Sequence, residues 1–145
     1  MHSIADILSQ PGRDWSPDPP ASEDAIHKLA SAAKLALPEE YFSLLRYCNG
    51  GEGALGVEPY WLVLYPIAEV IDLNEHEFYR DEFPELFFIG GNGGGELLAL
   101  QTARPRPWPI VMIDPIAGLE STEVVAASMA AFINAIGVET EDAEV

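Results

Sequence analysis

The sequence predicts a single α+β domain in which helices pack against a mainly antiparallel sheet of about four to six strands. Three observations carry that expectation. Apolar residues recur at helical spacing up to Asn49-Gly50-Gly51. Beyond that point the pattern changes to short apolar runs rich in aromatic and β-branched residues, bounded by Gly and Pro. The 145 residues suit one core, and 48% of them are hydrophobic and spread along the whole chain, which is a globular composition.

In chain order, residues 1–21 read as a short N-terminal helix and a Pro-rich loop, 22–137 as the main domain, and 138–145 as an acidic tail. Ile4, Ile7 and Leu8 share one side of the first helix, which Pro11-Gly12 stops. Four prolines in residues 11–21 disfavour helix and central strand alike, because each lacks the N–H that a ladder needs. Ser22 is placed to cap a helix running to about Lys34, with Glu23 and Asp24 at the end its dipole favours for negative charge. Its apolar stripe is Ile26, Leu29, Ala30 and Ala33.

Pro38 suits the first turn of the next helix, on which Tyr41, Leu44, Leu45 and Cys48 share a face. Asn49-Gly50-Gly51 then tolerates the left-handed backbone that closes helices. Strands are expected at about residues 60–65, 86–89, 96–101 and 110–113, with 124–126 as a weaker fifth. A helix over residues 67–77 has Ile67, Val70, Ile71 and Asn74 as its inner face. Ser128 caps a last helix with Met129, Phe132, Ile133 and Ile136 on one face and Gly137 at its end, before the acidic tail.

Seven basic residues against 24 acidic ones leave a formal charge of -17, which repels phosphate backbones and anionic lipid surfaces. Nucleic acid and membrane are therefore poor partners, and a basic protein is the natural complement. Solubility alone is the other reading of the acidity. Cys48 is the only cysteine, so an internal disulfide is excluded and a cytoplasmic, reducing compartment is expected. The first residues lack the basic start and apolar stretch of a signal peptide, and no segment is apolar for long enough to span a bilayer. Both monomer and homodimer fit.

Gly90-Gly91-Asn92-Gly93-Gly94-Gly95 invites comparison with phosphate-binding loops, but a strand rather than a helix follows it and no Gly-Lys-Ser/Thr occurs. It reads as a tight strand-to-strand connection that needs positive φ. His2, His27 and His76 are scattered over different elements and make no zinc pattern. The carboxylates are too many to single out an acid–base pair, and no nucleophile elbow is present. No catalytic residue, metal or cofactor is expected.

Residues 69–85 carry seven acids against one arginine, Arg80, with three aromatics among them. Aromatic anchors ringed by charge are ingredients of a protein interface; the competing reading is a solvated helix face whose aromatics enter the core. The candidate partner-binding residues are Asp72, Glu75, Glu77, Phe78, Tyr79, Asp81, Glu82 and Glu85, with Asn92 from the glycine-rich run.

Two stretches resemble the SUKH superfamily, which groups yeast regulators of cell-wall assembly with many bacterial immunity proteins. Residues 37–51 carry its leucine-proline (Leu37-Pro38), aromatic (Tyr41), aliphatic-pair (Leu44-Leu45) and asparagine-glycine (Asn49-Gly50) pattern, and residues 89–100 resemble its glycine-rich hairpin. Pro109-Ile110-Val111-Met112-Ile113 and the Ser128-capped helix are similar to its closing elements. Asn92 stands where many members have aspartate, and Met129 where phenylalanine is frequent. The resemblance implies an α+β, SUKH-like binding scaffold without catalysis, in bacteria often the antidote to a co-encoded toxin, many of them nucleases. A nuclease's basic groove would attract a chain at -17. The alternative it implies is a regulatory or scaffold module of the cell-wall-regulator type, with a partner that is not a toxin.

Overall fold

A computed structural model describes residues 3–140 of the chain. Ser3 accepts a hydrogen bond from the Asp6 amide while its own amide donates to the Asp6 carboxylate, and this reciprocal cap opens α1 (Ile4–Leu8). Ser22 caps α2 (Glu23–Ala33) by accepting from the Ala25 amide. Lys34 ends that helix in the left-handed region, at φ 59°. Pro38 sits at the cap of α3 (Glu39–Tyr47) instead of inside its first turn. Tyr41, Leu44, Leu45 and Cys48 are all fully buried, as their spacing predicts, whereas on α2 Ile26 and Leu29 go inward and Ala30 faces solvent.

Among the described residues the sheet has seven strands, more than the four to six expected. They are β1 (Trp15–Pro17), β2 (Gly51–Ala54), β3 (Trp61–Leu64), β4 (Leu86–Gly91), β5 (Leu97–Gln101), β6 (Ile110–Ile113) and β7 (Glu123–Ala126). They lie side by side in chain order, each antiparallel to the next. The two extra strands are β1, inside the segment read as a loop, and β2, directly after α3. The Pro-rich composition does not exclude β1, because it is an edge strand of three residues with proline last. β2 lacks apolar alternation because Trp15 crosses it: a Cβ on Gly51 would lie 2.7 Å from the Trp15 ring.

The sheet buries both faces of its central strands, which is why β4 to β6 read as continuous apolar runs. On one face Leu62, Leu64, Phe87, Leu98, Leu100, Ile110 and Met112 meet the buried stripes of α2, α3 and α6 (Met129–Ala135). On the other, Phe88, Ala99, Val111 and Ile113 form a smaller cluster with Phe83. The helix expected over residues 67–77 is α4 (Ile67–Glu75), and a second helix that was not expected, α5 (Glu77–Glu82), follows it. His76 makes the break, its Nδ1 accepting from the Phe78 amide at 3.2 Å. Val138 still packs beside Gly56, so the chain past α6 is not all tail; residues 141–145 of the expected acidic tail lie outside the described residues.

Candidate partner-binding surface

β3 pairs with β4 at Gly90 and Gly91, the Tyr65 amide just past β3 donates to the Ile89 carbonyl at 3.1 Å, and beyond that the chain turns into α4. Asn74 of α4 completes the ladder: the Phe88 N–H donates to its Oδ1 and its Nδ2 donates to the Phe88 carbonyl, each at 2.8 Å. This pair of bonds fixes α4 along β4, and α5, which buries none of its own residues, follows as an exposed corner. Asp72, Glu75, Glu77, Asp81, Glu82 and Glu85 are all exposed along α4, α5 and the turn into β4.

The aromatics divide. Phe83 is buried, and half-buried Tyr79 packs edge-on to Phe88 at 5.5 Å, so these two root α5 on the smaller cluster. Phe78, in edge contact with Tyr79 at 5.0 Å, is 45% exposed and is the ring the corner presents to solvent. The core-entry reading therefore describes Tyr79 and Phe83, while Phe78 stays exposed.

Negative charge at the corner is barely balanced. Among the described residues there are two ion pairs, Arg46–Glu23 at 3.0 Å and Arg80–Asp81 at 3.5 Å, and only the second touches the corner. The hydrogen bond from the Arg46 guanidinium holds the Glu23 carboxyl below the usual range. Nearby, burial raises the Tyr65 phenol, with the charge of Glu69 adding to the effect.

Asn92 is not brought to this corner. It follows β4 whereas Glu85 precedes it, which separates them by roughly 20 Å of strand rise. Its side chain closes the hairpin from within: Oδ1 accepts from the amides of Gly94 (2.9 Å) and Glu96 (3.2 Å), and Nδ2 donates to Glu96 Oε1 at 3.0 Å. Gly93 and Gly95 take φ of 79° and 118°, the positive values the run was expected to supply.

Concave features escaped the sequence, among them an open one between α1 and α3 and the two that follow. A cleft of about 520 Å³ lies between the end of α2 and α5, with Leu35, Ile71 and Phe83 inside and Lys34, Glu75 and Arg80 around it. A smaller one of about 370 Å³ is lined by Pro38, Met129 and Trp108, over whose ring the Arg106 guanidinium stacks at 4.3 Å. Lys34 at the cap of α2 and Arg80 on α5 line one cleft, and no local pattern announces that they share it. Among the described residues no three His, Cys, Asp or Glu side chains group as a metal site, and no helix is long and apolar enough to cross a membrane.

An antiparallel seven-stranded meander with helices on its main face and an acidic helical corner defines an α+β domain of the architecture that the motifs imply. Residues 20–135 match the SMI1 / KNR4 family (SUKH-1), and the chain belongs to that family. The match begins just ahead of α2 and ends with α6, so α1 and β1 precede it. A search of the curated proteins found no match to the chain.

Proposed function

We propose that the protein is a non-catalytic, cytoplasmic binding domain of the SUKH type that docks a basic protein, and that this partner is the effector domain of a cognate toxin, which it neutralises. The observation that supports this reading is the α4–α5 corner: six exposed carboxylates and exposed Phe78, with one arginine, among the described residues, in ion-pair contact. Carboxylates left unpaired by their own chain are free to attract a complementary surface, and an exposed ring supplies the apolar anchor. A nuclease's substrate groove has the required positive sign, and covering it would block catalysis without any chemistry by this chain. The test is co-expression with the toxin encoded beside the gene, followed by binding between the purified proteins at low salt. Rescue of growth together with a stable complex is expected. A toxin that kills regardless, with no association at low salt, would overturn the proposal.

A further inference from the structure

Five large apolar side chains stand exposed among the described residues, and three of them belong to one hairpin. Ile116 is 97% exposed and Leu119 58% in the β6–β7 connection, and Val124 on β7 itself is 64% exposed. Solitary exposed apolar residues need no explanation, but a concentration at one place on a sheet does. Val124 stands on a free edge strand, and Ile116 and Leu119 stand in the turn that leads into it. β7 ends the strand order and, among the described residues, pairs only with β6, so its outer row of backbone N–H and C=O groups faces away from the sheet.

The two edges differ in how they are protected. β1 closes in Pro17, with Pro19 and Pro20 just beyond, which leaves little for another chain to pair with. β7 contains neither proline nor lysine, and only its shortness and a register shift opposite Ile110 and Val111 limit pairing. The charge at its start is acidic, and a cation, Arg106, lies past its other end, where it lines a cleft with Ser128 and Met129. Glu120 and Glu123 are exposed, and no Lys, Arg or His occurs from Pro107 to the end of the sequence.

We infer that the outer edge of β7, with Ile116 and Leu119 beside it, is a second docking surface that takes an extended segment of a partner protein in which apolar and basic residues alternate. The segment adds as an eighth strand. Main-chain hydrogen bonds hold it, its apolar residues cover Val124, and its basic residues meet Glu120 and Glu123. A second copy of this chain is the wrong occupant, because its own Glu123 and its charge of -17 would bring like charges together at the new ladder. The inference stands on the β6–β7 hairpin and does not depend on the α4–α5 corner.

The experiment follows hydrogen exchange of the full chain in the presence of a capped synthetic peptide of alternating valine and lysine. Slowed exchange at residues 123–126 is expected, lost when the peptide's central residue is proline or its lysines are glutamates. Val124→Lys should weaken peptide binding several-fold with an unchanged circular dichroism spectrum. Ile116→Ser, at a side chain that packs against almost nothing, should do likewise, and serves if the strand variant fails to fold. Neutralising the α4–α5 carboxylates should leave the protection of β7 in place, which separates this surface from the proposed toxin site. Unaltered exchange at β7, equal protection by the proline peptide, or protection that vanishes only with the corner's charges would overturn the inference.

Discussion

Asn74 stands in for a strand from inside a helix. Its carboxamide has the same donor and acceptor as a peptide group, so one side chain satisfies both the N–H and the C=O of Phe88 where β3 has turned away. The sequence places Asn74 on the inner face of its helix by spacing, but not against Phe88, because the bond joins residues that meet only after α4 has docked. Asn74→Ala should leave two backbone groups unpaired and cost about 3 kcal/mol, seen as a lower urea midpoint with an unchanged slope. A loss below about 0.5 kcal/mol would mean that water replaces the side chain there. Cys48, read as a small buried hydrophobe from its place on the stripe of α3, is that, and burial pushes its thiol up to about 11, partly offset by the Trp15 indole beside it. An unfolded thiol ionises near about 8.5, so the native state keeps its proton longer as pH rises. The stability this contributes is whole below the unfolded value and is lost as pH rises through about 11. Slow alkylation of native protein at mildly alkaline pH, and fast alkylation in urea, are expected; equal rates would place the thiol in solvent.

Helices α2, α3 and α6 follow their sequence signals closely, because caps and apolar stripes are properties of neighbouring residues. The acid-rich segment does not follow so simply. Its composition is continuous, yet His76 caps a new helix in the middle of it and turns α5 away from the line of α4. The consequence is that Asp72 and Glu75 lie on one helix and Glu77, Asp81 and Glu82 on the next, around a common corner. Charges arranged this way act at a distance, before contact, so they set the rate of encounter more than the lifetime of the complex. Replacing Glu75, Glu77, Asp81 and Glu82 together with Gln, Gln, Asn and Gln should slow association of a basic partner and flatten its salt dependence, while dissociation changes little. Surface plasmon resonance across a salt series measures both, and an on-rate indifferent to the four changes would move the contact elsewhere on the protein.

The entire chain carries -17, and two ion pairs among the described residues neutralise little of it. Such a molecule repels itself when compact, and screening by salt should relieve that repulsion, since the Debye length falls to about 10 Å at 0.1 M. The melting temperature is therefore expected to rise by several degrees from low to near-molar sodium chloride in a calorimetric series. A flat or falling series would show that the carboxylates are spaced widely enough not to interact. The α+β character, the core-facing stripes, strands β4 to β6 and the family were legible in the amino-acid order, because period, cap and turn residues act within a few positions of one another. β1, β2, the Asn74 bridge, the cleft lined by both Lys34 and Arg80 and the open edge of β7 were not. Each of these depends on residues far apart in the chain meeting in space. Whether a proline run pairs at an edge, or a valine on a last strand stays uncovered, is settled by what packs beside it.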